Sequence, residues 1–307
     1  MALFTHNSGN YLTREDAKLY YEVIGNPAGF PLILLHGGMG NLTDFNAILS
    51  ALVDDFKLIG LDFRGHGKSS LGTKALSYKT YQEDVEALLD HLNLSHFAII
   101  GFSDGGITAY RIASHKTSEK ASQVKALVAI AAHQQIHKND FSFPFLANMT
   151  GPKWRAKFPV PTAYYDRINP EPDFDHLVEQ AVNLWTSGKT SYYPDKAVKQ
   201  IKAPCLLVRG EEDHLFSEME MSRLNSLIKG SQTASIATAG HEAYQDNPYV
   251  FTQKVKPFLL EALSSKMRLT PAISNQVKRL SKKQQSKKQQ SEKQISDKQQ
   301  SEKEPVC

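Results

Sequence analysis

Short β-rich apolar runs alternate with stretches of helical periodicity along most of this chain. The pattern is typical of a parallel sheet covered by helices, because parallel strands need long crossover connections. Strands are predicted at Lys18–Val23, Leu32–Leu35, Lys57–Asp62, Phe97–Gly101, Val124–Ala131, Cys205–Arg209 and Thr233–Thr238. Apolar residues at helical spacing predict helices at Phe45–Leu52, Thr80–Leu92, Gly106–Ala113 and Tyr249–Leu263. The expected fold class is therefore α/β.

Residues 133–200 interrupt the alternation with seven prolines and several aromatic side chains. A segment of this length is too long for an ordinary loop between two strands. We interpret it as an inserted lid, and the alternative is an elaborated crossover that only packs on the body. The expected organisation is a core in two parts, residues 1–132 and 201–265, around the lid, followed by a tail at residues 266–307.

The tail is a low-complexity sequence built from five pentads that each begin with serine. Residues 266–307 contain eleven Lys or Arg and four Asp or Glu, a charge of +7, so the remaining residues carry 4 − 7 = −3. A period of five matches neither a helix face nor a coiled coil, which predicts a disordered extension. The alternative is an arm that docks on anionic partners. The mildly acidic body gives no electrostatic basis for nucleic-acid binding.

Three observations predict a cytoplasmic protein. The two cysteines, Cys205 and Cys307, are far apart and are interpreted as reduced thiols. No apolar run approaches the roughly 18 residues of a membrane span. The N-terminal sequence MALFTHNSGNYLTRED has no basic region followed by an apolar region, so no secretory signal is expected.

The sequence Gly101-Phe102-Ser103-Asp104-Gly105-Gly106 lies between a predicted strand and a predicted helix. This context is that of a nucleophile elbow, a sharp turn that lifts a serine hydroxyl above the edge of a sheet. Glycines two residues before and two after the serine remove the Cβ atoms that would crowd such a turn. Ser103 is therefore the candidate nucleophile.

A serine nucleophile needs a base, and the base needs a carboxylate that fixes its tautomer. His241 follows the last predicted strand, and Asp213 follows the strand at Cys205–Arg209. The chain order serine, aspartate, histidine is the one found with nucleophile elbows. Backbone donors for an oxyanion are expected at Asp104 and at Gly38, with Met39 as the next candidate for the second donor.

These motifs resemble the α/β hydrolase family over about residues 10–263: HGG–MG, DFRGHGKS, GFSDGG, GEEDHL and GHE occur in order. The elbow GFSDGGITA is most similar to that of valacyclovir-hydrolase-like esterases. The resemblance implies an α/β hydrolase fold: a mostly parallel eight-stranded sheet with helices on both faces, and a lid after the sixth strand. It also implies no cofactor. The tail has no counterpart in the family.

Two further patterns do not indicate a phosphate-binding or metal-binding site. Gly65-His66-Gly67-Lys68-Ser69 is not a phosphate-binding loop, since Asp62 stands where that motif requires glycine. Arg64 and His66 are expected to brace the wall of the active site. His133 and His137 are four residues apart, but no third metal ligand accompanies them.

The resulting hypothesis is a serine hydrolase that cleaves a small carboxylic ester. The same residues could instead cleave another type of bond: that of a lactone, of an amide or aminoacyl group, or a carbon–carbon bond next to a ketone. An inactive binding module with a docking tail is the alternative from another class. Candidate substrate contacts are Met39, Asp104, Trp154 and Trp185. Asp104 either sits at a helix N-terminus or holds a cationic substrate group, in which case aminoacyl esters are preferred.

Overall fold

The computed structural model describes residues 2–115 and 119–264. The chain divides into two units, residues 1–259 and residues 260–307. All the strands given below belong to the first unit, and of the second unit only residues 260–264 are described. The strands are β1 (Asn10–Thr13), β2 (Lys18–Gly25), β3 (Phe30–Leu35), β4 (Phe56–Leu61), β5 (Phe97–Phe102), β6 (Val124–Ile130), β7 (Cys205–Gly210) and β8 (Gln232–Ile236).

These strands form one sheet in the order β1-β2-β4-β3-β5-β6-β7-β8. β1 and β2 pair antiparallel, as do β2 and β4, and every other neighbouring pair is parallel. The expected mostly parallel sheet of eight strands is thus confirmed. Because β3 and β5–β8 run parallel, their carboxyl ends lie along one edge, where the loops that follow them meet.

The helices are α1 (Asn46–Leu52), α2 (Tyr78–His91), α3 (Asp104–Ser114), α4 (Lys120–Gln123), α5 (Phe143–Ala147), α6 (Gly151–Lys157), α7 (Pro159–Ile168), α8 (Phe174–Thr186), α9 (Glu218–Leu227), α10 (Ala243–Asp246) and α11 (Pro248–Ser264). Every residue of β5 is buried, and successive strand residues point to opposite faces, so both faces of the sheet are covered there. Helix α2 begins two residues before the predicted Thr80, because the Ser77 hydroxyl accepts the Thr80 N–H and caps the helix.

The inserted segment, residues 133–200, lies between β6 and β7 and contains α5–α8 with two short 3-10 helices at Gly188–Ser191 and Asp195–Gln200. Helix α8 is its most regular element. The Asp173 carboxylate accepts the His176 N–H at the helix start, and Leu177, Leu184 and Trp185 are buried along one side. Two of these side chains lie against loops of the core, Leu177 at Gly65 and Trp185 at Gly38.

The N-terminal residues link the inserted segment to the sheet. His6 is 1% exposed; its Nε2 lies 2.8 Å from Oδ2 of Asp62, and its Nδ1 lies 2.7 Å from the Tyr164 hydroxyl of α7. Asp62 also accepts the backbone N–H groups of Leu42 and Lys68. This buried carboxylate thereby joins its own loop to the N-terminal segment and to the segment at Leu42.

Within residues 2–115 and 119–264, no helix is long and apolar enough to cross a membrane. The predictions for the tail at residues 266–307 and for Cys307 lie outside the described residues. Arg64 binds Asp84 through two hydrogen bonds and Asp16 through a third, which is a structural role as expected for this loop.

A variant that ends at residue 265 should keep the activity and the thermal stability of the full chain. The basis is that helix α11 ends at Ser264 and that polar pentads make up most of the sequence after it. Changes outside the packed part of a protein alter stability by about 0.5 kcal/mol or less, or about 1–2 °C in melting temperature. Calorimetry of the two chains checks this. Aggregation of the shorter chain, or a drop of several degrees, would contradict it.

Candidate active site

Ser103 occupies the turn between β5 and α3 in a strained backbone conformation, with φ 48° and ψ −114°. Such a positive φ is uncommon for any residue with a side chain. A Cβ atom at Gly105 would lie 2.0 Å from the carbonyl oxygen of Leu35, and one at Gly101 would lie 2.4 Å from that of Gly105. The two glycines therefore permit the close approach of backbone that this turn requires.

The turn is fixed on both sides. The Ser103 N–H donates to the Ile130 carbonyl at 2.8 Å, and the Ser103 carbonyl accepts the Ile107 N–H at 2.9 Å. Ser103 thus stands at the carboxyl end of β5 and at the positive N-terminal end of α3, where a developing negative charge is stabilised. The serine side chain remains partly accessible.

The structure brings Asp213 and His241 into direct contact. Nδ1 of His241 lies 3.0 Å from each carboxylate oxygen of Asp213, whose side chain is 0% exposed, against 15% for the histidine. An ionised carboxylate only accepts hydrogen bonds, so Nδ1 carries the proton and Nε2 is left as the basic nitrogen. The pairing predicted from chain order is the one the fold forms.

Burial alone would raise the pKa of Asp213, but hydrogen bonds from His241 and from the N–H groups of Leu215 and Phe216 outweigh it. The pKa is held below its ordinary value, and the carboxylate stays ionised at neutral pH. The loops that carry Asp213 and His241 touch closely, since the Glu212 N–H donates to the Ala239 carbonyl at 2.8 Å.

His241 packs on the elbow itself: its ring centroid lies 5.0 Å from that of Phe102, the residue before Ser103. Within the described residues the Ser103 hydroxyl makes no hydrogen bond, so the serine–histidine bond is not formed in this structure. Such bonds are often long without substrate and tighten when it binds. His241 therefore lies beside the residue that precedes Ser103.

The loop after β3 holds its peptide groups in a fixed orientation. Nδ1 of His36 lies 2.7 Å from the Gly37 carbonyl oxygen and must donate to it, while Nε2 accepts the Phe63 N–H at 3.0 Å. A trans peptide directs its C=O and N–H in opposite directions, so a held Gly37 carbonyl fixes the direction of the Gly38 N–H. Burial lowers the pKa of His36 to about 4, which keeps this neutral tautomer at neutral pH.

This loop lies against the elbow. A Cβ atom at Gly37 would be 3.2 Å from that of Ser103, and one at Gly38 would be 2.7 Å from Oδ2 of Asp104. Met39 is also in the left-handed region, with φ 62°. The two expected oxyanion donors, the N–H groups of Gly38 and Asp104, therefore belong to segments in contact.

The Asp104 side chain is turned inward and is 2% exposed. Its carboxylate accepts the Tyr78 hydroxyl at 2.8 Å and the Trp185 indole N–H at 3.0 Å from both oxygens. Burial raises the pKa of Asp104 to about 6, opposed by those two hydrogen bonds and by His241. The expected contact with a substrate amine stays a prediction.

The two tryptophans of the chain are neighbours, with ring centroids 6.2 Å apart. Trp154 also packs on Phe158 at 5.0 Å, and a Cβ atom at Gly38 would lie 2.6 Å from Cζ2 of Trp185. Trp185 of the inserted segment thus borders the loop after β3, and Trp154 and Phe158 extend the aromatic cluster away from it.

Sequence reasoning missed three residues that hold this site: His36, Tyr78 and Tyr193. The position of His36, directly between an apolar strand and a glycine pair, was a usable signal. No sequence pattern points to Tyr78 or to Tyr193, whose hydroxyl donates to the Trp185 carbonyl. Their contacts arise only in the folded chain.

No cluster of three or more His, Cys, Asp or Glu side chains in the described part of the chain could hold a metal ion. His133 is buried beside Phe216, with ring centroids 5.0 Å apart, whereas His137 is exposed. The fold therefore separates the environments of these two histidines.

Known proteins resemble this chain in sequence and in fold. The family model for the alpha/beta hydrolase fold matches residues 31–158. A Haemophilus influenzae protein named as an esterase/lipase is 37% identical over 243 residues, which cover 74% of this chain and 82% of that protein. The Bacillus subtilis AB hydrolase superfamily protein YisY is 28% identical, with coverage of 78% of this chain and 94% of YisY.

Among solved structures, a thermophilic esterase from Thermogutta terrifontis superposes with a TM-score of 0.65. It is 20% identical, and the match covers 83% of this chain and 99% of the esterase. At that identity the likeness shows the fold alone.

Fold, site and relatives define a hydrolytic enzyme with a parallel-sheet core. The chain belongs to the α/β hydrolase family. The fold and the enzyme class expected from its motifs are thereby confirmed.

Proposed function

We propose that this hydrolase cleaves small carboxylic esters with Ser103 as nucleophile, His241 as general base and Asp213 as the residue that orients the histidine. The observation that carries the proposal is the hydrogen-bonded pair of His241 and Asp213 packed on the strained turn of Ser103. A buried carboxylate, a histidine with a free Nε2 and a serine beside it form the arrangement that activates a hydroxyl.

In the proposed first step the Ser103 oxygen attacks the acyl carbon while Nε2 of His241 takes the hydroxyl proton. The carbonyl oxygen becomes an oxyanion, which the N–H groups of Gly38 and Asp104 stabilise. The His241 imidazolium, stabilised by Asp213, then gives its proton to the leaving alcohol as the carbon–oxygen bond breaks. An acyl group remains on Ser103.

In the second step water attacks the acyl-enzyme with His241 again as base. The carboxylic acid leaves, and Ser103 regains its proton. The neutral His36 supports both steps by keeping the Gly37 peptide, and with it the Gly38 N–H, in place. Apart from the ester and water, each reacting group in this proposed cycle is a side chain or backbone group of the protein.

Residues 133–200 act in this proposal as the lid of a core formed by residues 1–132 and 201–265. The supporting observation is that Trp185 of this segment borders the oxyanion loop and that Trp154, which packs on Phe158, lies next to Trp185. A small ester is the proposed partner of the body, and the cytoplasm its proposed location. An anionic partner of the tail stays a prediction.

A fluorophosphonate probe tests the proposal, because it captures an activated serine covalently. The wild-type chain should be labelled at Ser103, and Ser103→Ala and heat-denatured wild type should not. Peptide mapping locates the label. Absence of label from the native chain would support a binding module instead. A panel of esters, lactones, amides and vinylogous diketones then separates the bond types that the same residues could cleave.

A further inference from the structure

We propose that Asp104 is a positioning residue that anchors the Trp185 indole against the oxyanion loop, so that Trp185 determines which acyl groups reach Ser103. The role of Trp185 in selecting acyl groups rests on the proposed function. The anchor, meaning the hydrogen bonds from the Trp185 indole to Asp104, does not, and it can be tested without measuring catalysis.

The carboxylate of Asp104 is already occupied. The indole N–H of Trp185 is shared between its two oxygens, and the hydroxyl of Tyr78 donates to Oδ1. With 2% of the residue exposed, an ammonium group could reach this carboxylate only by displacing the indole. Burying a carboxylate is costly unless donors compensate it, and here two neutral donors do so.

The three donor and acceptor residues lie on three different elements. Asp104 begins α3, Tyr78 begins α2 and Trp185 lies in the last turn of α8. Tyr193 reinforces the link, since its hydroxyl donates to the Trp185 carbonyl at 3.0 Å and its ring centroid lies 4.7 Å from that of Tyr78. The inserted segment is thus fastened to the residue that follows the nucleophile.

The anchored indole touches the oxyanion loop. A Cβ atom at Gly38 would overlap both Cζ2 of Trp185 and Oδ2 of Asp104, at 2.6 and 2.7 Å. The ring therefore touches the residue whose N–H is the proposed oxyanion donor, and under the proposed function it forms part of the wall near the acyl group. Trp154 continues the aromatic surface 6.2 Å away. The geometry fits an apolar or aromatic acyl group.

The anchor should weaken as the carboxylate is protonated. Burial raises the pKa of Asp104 to about 6, so the charged acceptor is present above this pH and is lost as the pH falls through it. The ionisable groups that face Asp104 are Tyr78 and Tyr81 of α2, Tyr193, and His241 on the loop after β8. Burial raises the pKa of each of these tyrosines, so they stay neutral. His241 is the one group among them whose interaction with Asp104 lowers the pKa of the carboxyl.

Fluorescence tests the anchor directly. The chain has two tryptophans, so Trp154→Phe leaves Trp185 as the single emitter. Its emission should titrate with a midpoint near pH 6, and the double variant Trp154→Phe/Asp104→Asn should be flat over the same range. Adding His241→Ala to Trp154→Phe should move the midpoint upward without removing it, because the interaction with His241 that lowers the pKa of Asp104 is lost. A flat response in Trp154→Phe, or an unchanged titration after Asp104→Asn, overturns the anchor.

Kinetics tests its consequence for acyl selection. Trp185→Phe keeps a ring but loses the N–H, and Asp104→Ala loses the acceptor; each should lower kcat/KM for an aromatic acyl ester by about tenfold, chiefly through KM. The double variant should be no worse than either single one. Asp104→Asn, which keeps an acceptor oxygen but loses the charge, should lower kcat/KM for this ester by less than Asp104→Ala does.

Two results overturn this consequence: additive losses in the double variant, or a preference for a free α-amino ester over its N-acetyl form that disappears in Asp104→Asn. The second result would assign the carboxylate to the substrate instead. If Ser103→Ala remained active, the proposed function would fail, while the Trp185 titration would still decide the anchor.

Discussion

Replacement of Ser103 by alanine should abolish ester turnover and leave the fold intact. Residues that act as a catalytic unit lose on the order of 10⁴–10⁶ in kcat when the nucleophile is removed. The turn should survive, because the close backbone contacts at Gly101 and Gly105 do not involve the serine hydroxyl. Initial rates on a chromogenic ester, with circular dichroism melting curves of both chains, check the two halves of this expectation.

Traces of an active serine hydrolase in the preparation would limit how small a residual rate of Ser103→Ala can be measured. A second preparation of Ser103→Ala treated with fluorophosphonate before the assay therefore serves as the control. If the variant kept more than a few per cent of the wild-type rate after that treatment, another residue would be the nucleophile.

The second large effect is expected for Asp213→Asn, at about 10⁴ in kcat. The carboxylate holds the proton on Nδ1 of His241. An amide in its place can present its NH₂ group to that nitrogen and favour the opposite tautomer, which leaves no basic Nε2 for Ser103. Rates measured across pH should show a loss at all values and not merely a displaced profile.

Glu212→Gln is the matched control for this experiment, because it removes one charge from the adjacent, exposed position. It should be nearly normal. Asp246→Asn is a second control: Asp246 accepts the Gly240 N–H at 2.8 Å beside the histidine loop but does not touch His241. A crippled Glu212→Gln with an active Asp213→Asn would show that the acid has been assigned to the wrong residue.

Most strands of the sheet could be predicted from the sequence because they are either wholly apolar or bounded by clear turns. β5 and β7 are buried at every position, and their sequences are unbroken apolar runs up to Phe102 and Val208. β1 was missed. It is a four-residue edge strand with the sequence NYLT and an exposed burial pattern, so it carries neither length nor alternation. The helices of the inserted segment were missed for a related reason, since prolines such as Pro152 and Pro159 stand at their first turns.

The site divides in the same way. Ser103, Asp213 and His241 could be predicted because each follows a recognisable strand, and the parallel sheet brings strand ends together. The bond between Asp104 and Trp185 could not, since it joins residues 81 positions apart whose pairing depends on how α8 packs. The hydrogen bonds of His6 to Asp62 and Tyr164 could not be predicted from the sequence either, because His6 lies in an irregular N-terminal segment.

The position of the inserted segment has a practical consequence for protein engineering. Ser103, Asp213, His241 and the loop after β3 all lie outside residues 133–200, whereas Trp185, which touches that loop, and its neighbour Trp154 lie inside. Under the proposed function, libraries confined to α6 and the end of α8 should vary acyl preference without changing Ser103, Asp213 or His241. The same separation suggests chimaeras: a segment from another family member can be grafted between β6 and β7, provided that it supplies a donor for Asp104.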